Sequence, residues 1–425
     1  MTTYKKIMNI ALPAMAENFL QMLMGMVDSY LVASLGLIAI SGVSVAGNII
    51  TIYQAIFIAL GAAISSLISK SLAQGDKERL AYHTAEAIKL TLLLSAFLGL
   101  LSLLFGRQML DLLGTEKAVA DAGGLYLALV GGTIVLLGLM TSFGALVRVT
   151  RNPRFPMYVS LLTNVLNALF SALGIYVFRL GIVGVAFGTV LARLVGVVIL
   201  WRELDLSTIR WRWGLDRELL RLSLPAAGER LMMRAGDVVI IAIVVVFGTD
   251  AVAGNAIGEV LTQFNYMPAF GVATATVMLV AHAVGEGDMQ AVGLIRQRAF
   301  WLSFACMLPL ALGIFALGRP LTVLYTDNSG AITASLSVIL FSLLGTPMAV
   351  GTVIYTAVWQ GLGNARLPFY ATTIGMWLIR IIAGYVLGVT CGLGLPGVWA
   401  GTLLDNGFRW LFLKVLFDRK MREIA

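Results

Sequence analysis

The chain has 425 residues, of which 59% are hydrophobic and only 12% are charged. Soluble globular proteins carry about 25% charged residues, so this composition excludes an ordinary soluble domain and indicates that lipid surrounds most of the chain. The net charge of +8 does not indicate a nucleic-acid partner, because membrane proteins collect excess Lys and Arg in their cytoplasmic loops.

Long apolar segments recur along the chain, close to or above the roughly 20 residues with which a helix crosses a bilayer. In the first half of the chain we predict six, near 6–34, 41–70, 88–105, 122–147, 156–178 and 181–201. In the second half we predict six more, near 219–247, 254–283, 296–317, 330–358, 367–388 and 395–417. The expected fold is therefore an all-α polytopic membrane protein with twelve transmembrane helices.

An internal repeat divides the chain into two homologous halves. A shift of 212 residues superposes Pro13 on Pro225, Glu17 on Glu229, Gly36 on Gly248, Gly75-Asp76 on Gly287-Asp288 and Asn152 on Asn364. The repeat predicts an N-lobe over 1–204 with helices 1–6, a cytoplasmic linker over 205–216, and a C-lobe over 217–425 with helices 7–12. Because six is even, both lobes enter the membrane from the same side, as a parallel repeat with a central cleft between them.

The basic residues of the loops predict the orientation. If the N-terminus is cytoplasmic, the opposite side of the membrane keeps only Arg107, Lys117, Arg179 and Arg319. The positive-inside rule then places both termini in the cytoplasm. We expect a multi-pass protein of the cell (inner, cytoplasmic) membrane.

Two acidic residues lie in helix 1. Asp28 stands among apolar residues (MLMGMV before it, SYLVASLG after it), with no basic residue within one or two helical turns. Low-dielectric surroundings favour the protonated form of a carboxyl group, and ionisable groups in membrane spans are costly. Asp28 is therefore a candidate proton carrier, and Glu17, on the same face of the helix, is a second. The alternative for each is an acid that is hydrogen-bonded inside a packed helix bundle.

Helix 5 carries a polar stripe formed by Asn164, Asn167 and Ser171, at spacings of three and four residues. Such spacings place all three side chains on one face. The stripe is suited either to hydrogen-bond an acid across the lobe or to offer oxygen ligands to Na⁺. Contacts between helices, which Asn and Ser commonly make in membranes, are the alternative.

Ionisable residues are more numerous in the predicted spans of the second half: Glu229, Arg230, Arg234, Asp237, Glu259, Arg380, Asp405 and Arg409. Because the charges balance, we expect these groups to turn inward and pair within the C-lobe, with direct substrate contact as the alternative. The candidate substrate-cavity residues are Glu229, Arg234, Asp237, Glu259, Gln263, Arg380 and Asp405. Pro268 is expected to break helix 8.

The sequence lacks the signatures of enzymes and ATP-driven pumps. It has two histidines, no Walker loop, no HExxH and no paired Cys/His metal spacing. We expect no enzyme activity, no catalytic residue, no metal site and no cofactor, with H⁺ or Na⁺ as the transported ion. The expected partners are a small-molecule substrate and the lipid bilayer, without nucleic acid, and the expected state is a monomer.

Several motifs resemble one family of transporters. LPAMAENFL (12–20) with MVDSYLVASLG (26–36), PMYVSLLTNVLNALF (156–170) and GLGLPGVWAGTLLDNGFRWLF (392–412) are similar to helices 1, 5 and 12 of multidrug and toxic-compound extrusion (MATE) transporters. The resemblance implies twelve helices in two lobes around a central cleft, alternating access, and antiport with H⁺ or Na⁺.

The resemblance also suggests roles for single residues. Asp28 matches the first-helix acid that members use for cation coupling, and Asn167 matches the asparagine that accompanies it. Ser171 stands where some members carry an aspartate, and Met233 where others carry a coupling glutamate, with Glu229 four residues earlier. We therefore expect a secondary antiporter that exports small organic, amphiphilic or cationic compounds. The alternative is a flippase or exporter of a lipid-linked or other amphiphilic substrate.

Overall fold

The computed structural model describes residues 3–205, 209 and 213–424. Residues 206–208 and 210–212 of the predicted linker lie outside the described residues. The first half contains α1 (Thr3–Ala33), α2 (Leu37–Ala73), α3 (Lys77–Leu112), α4 (Lys117–Gly131 continuing as Val135–Thr150), α5 (Phe155–Val177) and α6 (Ile182–Arg202).

The second half repeats this order. It contains α7 (Arg217–Val245), α8 (Thr249–Glu286), α9 (Met289–Ala316), α10 (Ser329–Leu344 continuing as Thr346–Gly361), α11 (Arg366–Thr390) and α12 (Leu395–Ile424), with a short helix at Gly318–Val323. Within the described residues, the predicted all-α fold with twelve long helices in two halves is confirmed.

Most of these helices are long and apolar enough to cross a membrane. Within the described residues, eight qualify by themselves, and ten do so if the bent pairs that form α4 and α10 are each one span. The two remaining long helices, α7 and α12, carry most of the charges predicted for the second half. Polar spans of this kind need partners inside the protein, because an unpaired charge facing lipid is costly.

The boundaries of the helices reproduce the repeat. α1 ends at Ala33 and α7 at Val245, which are 212 residues apart. The glycines that precede α2 and α8, Gly36 and Gly248, have φ of 105° and 96°, a region that L-residues with a side chain rarely adopt. The repeated Gly therefore fixes the same sharp turn in both halves.

Helix caps repeat in the same way. The carboxylate of Asp76 accepts a hydrogen bond from the backbone N–H of Arg79 at the start of α3, at 2.9 Å. Asp288 accepts one from the backbone N–H of Ala291 at the start of α9, also at 2.9 Å. Each cap satisfies a backbone donor that a helix leaves unpaired at its N-terminus.

The two compact units formed by tertiary packing have different boundaries from the two halves of the sequence repeat. One compact unit, the N-unit, is Ala16–Ser223, and the other, the C-unit, is Met1–Met15 with Leu224–Ala425. The first turns of α1 belong to the C-unit because Ile7 and Ala11 are fully buried in its hydrophobic core. The division therefore differs from the predicted lobes 1–204 and 217–425.

The start of α7 belongs to the N-unit because the residues before it are tied to α3. The Asp216 carboxylate lies 2.8 Å from Nδ1 of His83, and its backbone N–H donates to Oε2 of Glu86 at 3.0 Å. Nζ of Lys89 donates to the carbonyl oxygen of Gly214 at 2.5 Å. These contacts fix the end of the predicted linker to the N-unit.

The expected break of helix 8 at Pro268 is wrong. α8 runs without interruption from Thr249 to Glu286, with Pro268 inside it and buried. A proline removes one backbone hydrogen bond, and in membrane helices neighbouring groups commonly make up for that loss.

Candidate functional site

The centre of the candidate site in the N-unit is the contact between α1 and α5. The side-chain amide of Asn167 donates hydrogen bonds to both carboxylate oxygens of Asp28, at 3.0 and 3.2 Å. Asn167 is 6% exposed. The two residues are 139 positions apart in the chain, so only the packing of the two helices brings them together.

Ser171 holds Asn167 in this orientation. Its hydroxyl group donates to Oδ1 of Asn167 at 3.3 Å, which leaves the amide nitrogen to face the carboxylate of Asp28. The facing helix α6 approaches closely, and a Cβ on Gly188 would lie 2.5 Å from Oγ of Ser171. The small serine and the glycine therefore fit one another, and a larger side chain at either position would separate α5 from α6.

Directly after Ser171 the helix widens into a π-helical turn at Leu173–Val177. Such turns occur often at functional sites. Here the turn lies at the end of the polar stripe of α5.

Three further polar residues belong to this site. Arg193 of α6 interacts electrostatically with Asp28 and with the buried Tyr126 of α4, and Tyr126 also forms a hydrogen bond with Thr189 of α6. Thr189 and Arg193 are four residues apart, which places them on one face of α6. Sequence reasoning assigned none of these three residues to the site.

The proximity of Arg193 changes the electrostatic description of Asp28. The sequence shows no base within two helical turns of the aspartate, yet a third helix supplies one. Within the described residues, Asp28 forms no direct ion pair, and Nη1 of Arg193 is buried without a hydrogen-bond partner. The site thus holds an acid and a base that interact electrostatically without a direct ion pair.

Two of the predicted coupling residues lie apart from this cluster. Glu17 accepts a hydrogen bond from Arg148 of α4 and forms an ion pair with it. The amide nitrogen of Asn164 is buried and has no partner among the described residues. Of the five predicted residues, the structure brings Asp28, Asn167 and Ser171 together.

The C-unit contains a fully buried ion pair on α12. Nε of Arg409 lies 2.8 Å from Oδ1 of Asp405, and Nη2 donates to Oδ2 at 2.8 Å. Asp405 is 0% exposed and Arg409 4%. Their four-residue spacing places both side chains on one face of the helix.

Two more contacts join α7 to α11. Nη1 of Arg380 donates to Oδ1 of Asp237 at 3.4 Å, and the hydroxyl of Thr372 donates to Oε1 of the buried Glu229 at 3.1 Å. Arg230 interacts electrostatically with Glu229. The predicted pairing of the charges within the second half is therefore confirmed for Asp405 with Arg409 and for Asp237 with Arg380.

Arg234 is exposed on the C-unit. α7 presents Gly236 to α11, where a Cβ would lie 2.2 Å from Cγ of Met376. Arg234 is two residues away and so points to nearly the opposite side of the helix. Glu259 and Gln263 of α8 are also exposed.

Comparison with known proteins decides the family. The MatE family model matches residues 13–173 and again residues 225–386. The chain belongs to the MATE family. The two matched stretches begin 212 residues apart, so the family model itself covers one half at a time. MATE proteins are membrane transporters, and this confirms the resemblance found in the sequence.

Relatives in the MATE family match along almost the whole chain. The "Probable multidrug resistance protein NorM" of Thermotoga maritima is 29% identical over 429 residues, which cover 97% of this chain and 91% of that protein. The "Uncharacterized transporter YisQ" of Bacillus subtilis is 23% identical and covers 94% of this chain and 91% of its own length.

Solved structures show the same fold. An outward-facing multidrug resistance MATE transporter superposes with a TM-score of 0.92 at 20% identity, covering 100% of this chain and 97% of the other. A Pyrococcus furiosus transporter, described by a binding pocket of reverse polarity, superposes with a TM-score of 0.90 at 20% identity, covering 99% and 96%. These likenesses establish the two-lobe MATE fold of this chain.

Proposed function

We propose that this MATE protein is a secondary active antiporter that exports small organic compounds, amphiphilic or cationic, in exchange for H⁺ or Na⁺ by alternating access. We further propose that it works as a monomer in the inner membrane with both termini in the cytoplasm, as the distribution of Lys and Arg suggests. The observation that supports the proposal most directly is the network of Asp28, Asn167 and Ser171 inside the N-unit.

The network has the properties that a coupling site requires. The negative charge of a carboxylate in a membrane span is neutralised when it binds a cation. The hydrogen bonds that the carboxylate accepts stabilise its ionised form. Because Asn167 can donate but not accept at its amide nitrogen, its bonds to Asp28 favour the carboxylate over the protonated acid. Cation binding at Asp28 therefore weakens the contact between α1 and α5.

Antiport follows if cation and substrate prefer different arrangements of this contact. A ligand shifts a conformational equilibrium only by its differential affinity for the two states. With Asp28 ionised, the α1–α5 contact is intact, and with the cation bound it is weakened. A substrate that favours the intact contact then competes with the cation, and the ion gradient drives its export.

The exposed polar residues of the C-unit are proposed to line the path of the substrate. Asp405 with Arg409 and Asp237 with Arg380 are paired, so these four charges are neutralised where they lie. The alternative function, a flippase for a lipid-linked substrate, would require a more cationic cavity. The pairing of these charges therefore favours the antiporter over the flippase. Exposed polar groups suited to contact a substrate directly are Arg234, Glu259 and Gln263.

The test is transport by the purified full chain in liposomes with ethidium, a monovalent organic cation, as the probe. Imposed pH and Na⁺ gradients are applied separately. We expect Asp28→Asn to keep its fold, to bind ethidium more weakly than the wild type, and to lose gradient-driven efflux. Glu17→Gln is the matched control, because Glu17 is paired with Arg148 and should be largely dispensable for coupling. Full efflux by Asp28→Asn would refute the proposal.

A further inference from the structure

The residues at the start of α7 are held on the N-unit by charged side chains around His83 of α3. Nδ1 of His83 lies 2.8 Å from Oδ2 of Asp216, and Nε2 lies 3.8 Å from Oε2 of Glu218. His83 and Asp216 are buried, whereas the side chain of Glu218 is 48% exposed. We propose that these three residues form a pH-sensitive latch, which holds the start of α7 on α3 when His83 is protonated and thereby slows transport. The latch goes beyond the proposed function, and only its effect on transport rests on that function.

The hydrogen bond of the ring determines which nitrogen of His83 changes on titration. An ionised carboxylate accepts hydrogen bonds and cannot donate one, so Nδ1 carries the hydrogen that is donated to Asp216. In the neutral ring Nε2 then bears a lone pair, which faces the carboxylate of Glu218 across 3.8 Å. Protonation places a hydrogen and a positive charge at this nitrogen. A repulsive contact with Glu218 therefore becomes an attractive one.

The charges around the ring favour that proton. The charged groups of the cluster are three acids and two lysines, namely Glu86, Asp216, Glu218, Lys70 and Lys89. Nζ of Lys70 lies 3.5 Å from Oε1 of Glu218, and Lys89 forms an ion pair with Glu86. While His83 is neutral, the cluster therefore has one more negative than positive charge, and protonation of His83 balances the two. Each contact with a carboxylate becomes stronger when the ring is charged.

Two other side chains adjoin the cluster. The ring of Tyr82 lies beside that of His83, with centroids 5.4 Å apart, and phenols ordinarily titrate far above histidine. Arg217, between the two acids in the chain, is exposed, so solvent and salt screen its charge. The proton on His83 is therefore the variable charge near neutral pH. The latch is closed while His83 is protonated, and it opens as the pH rises through the titration of this residue.

The latch lies where α7 passes from one compact unit to the other. α7 is a continuous helix over Arg217–Val245, yet the N-unit ends at Ser223 and the C-unit resumes at Leu224. Domain motions are absorbed at a few hinge positions, and alternating access requires such a motion. A closed latch restrains the first turns of α7 next to this boundary, so it should slow the transport cycle.

Histidine NMR measures the titration directly, because the chain has two histidines, His83 and His282. His282 is the matched control, since its Nδ1 lies 3.5 Å from Oε2 of Glu286 within the C-unit. In purified His282→Gln protein the histidine ring signals come from His83 alone, and in His83→Gln protein from His282 alone. Spectra from about pH 5 to about pH 8.5 give the protonated fraction of each ring. Glu218→Gln replaces an exposed side chain and leaves the hydrogen bond between His83 and Asp216 in place.

Amide hydrogen exchange of residues 213–223, corrected for its intrinsic dependence on pH, reports the latch itself. We expect protection to rise roughly threefold to fivefold as His83 becomes protonated, the size of effect that a partly exposed ion pair produces. The rise should be absent in His83→Gln, much smaller in Glu218→Gln and unchanged in His282→Gln. A His83 ring that does not titrate in this range would overturn the latch. Protection that does not follow the titration, or the wild-type rise in Glu218→Gln, would do the same.

Equilibrium exchange of ethidium across liposomes, at the same pH on both sides, measures the effect on transport without an imposed gradient. The rate at about pH 6 is divided by the rate at about pH 8. We expect this ratio to be roughly twofold to fivefold higher in His83→Gln and Glu218→Gln than in the wild type and His282→Gln, because the first two variants lack the closed latch. Equal ratios would refute the effect on transport and leave the proposed antiport intact. A wild type that exchanges no ethidium at either pH would count against the proposed function, while NMR and amide exchange still decide whether the latch exists.

Discussion

Gly375 of α11 and Asp405 of α12 approach one another so closely that a Cβ on the glycine would lie 2.1 Å from Oδ1 of the aspartate. The buried pair of Asp405 and Arg409 therefore depends on the absence of a side chain on the neighbouring helix. The same Cβ would also lie 2.9 Å from Cγ of Arg409. Neither ion-pair partner has room to retreat, because both are buried.

The first prediction concerns this approach. Gly375→Ala should lower the free energy of unfolding by about 2 kcal/mol or more, as overpacking of a tight interior does. The measurement is the thermal or denaturant midpoint of the purified protein in detergent. Gly407→Ala in α12 is the matched control, since its Cβ would meet nothing closer than Sδ of Met348 at 3.5 Å. Equal midpoints for the two variants would contradict the prediction.

The second prediction concerns the ion pair itself. Arg409→Met should destabilise the protein by about 3–5 kcal/mol, because it leaves the carboxylate of Asp405 buried and unpaired. The double variant Asp405→Leu with Arg409→Met removes both charges and should recover much of that loss. Thermal midpoints of the single and double variants in the same detergent provide the comparison. A double variant no more stable than Arg409→Met would show that packing, and not the unpaired charge, causes the loss.

The third prediction distinguishes two asparagines of α5. Asn167→Leu removes both hydrogen bonds to Asp28, and it should reduce gradient-driven ethidium efflux by roughly tenfold or more, given the usual strength of bonds to charged groups. Asn164→Leu should retain most of the efflux, because the Asn164 amide nitrogen makes no hydrogen bond among the described residues. Initial efflux rates in liposomes, normalised to the amount of folded protein, are the measurement. A greater loss in Asn164→Leu would place the coupling site elsewhere on the helix.

The fourth prediction concerns pH and the contact between Asp216 and His83. Burial raises the pKa of Asp216, but hydrogen bonds from His83 and from the backbone N–H groups of Glu218 and Leu219, with the charge of His83, outweigh burial. The net result is a pKa below the ordinary value of 3.8. A lowered folded-state pKa stabilises the fold above the ordinary value, and that contribution is lost as the pH falls through the lowered pKa.

Pepsin cleavage near residues 205–216, normalised to cleavage of an unfolded peptide, measures this effect. In the wild type, cleavage should increase as the pH falls from about 3.8 toward the lowered pKa of Asp216, where the folded protein loses this charge. Asp216→Asn should be cleaved faster at higher pH and show a weaker rise on acidification. Asp76→Asn, which alters the helix cap of α3 and the ion pair of Asp76 with Arg79, is the control. An identical pH profile for Asp216→Asn and the wild type would refute the role of this carboxylate.

Features that depend on neighbours along the chain could be predicted from the amino-acid sequence. Apolar length gave the twelve helices, and the shift from Pro13 to Pro225 gave the repeat, which the matching φ of Gly36 and Gly248 bears out. The sequence also identified Asp28 as an acid with no basic residue nearby in the sequence, and Asp405 and Arg409 as ionisable residues of the predicted spans. Composition and periodicity are local properties, and they do not depend on which helices pack against one another.

Which side chains meet across helices could not be predicted from the sequence, because it depends on how the helices pack. The rotation of α5 about its axis places Asn167, and not Asn164, against Asp28, and the position of α6 allows Arg193 to interact with the same carboxylate. The rotation of α7 leaves Arg234 exposed. Packing likewise assigned Ile7 and Ala11 to the C-unit, against the boundary set by the repeat. A helix of 3.6 residues per turn changes its contacts completely on a half rotation, and that rotation is set by close packing between helices, which no pattern within one helix records.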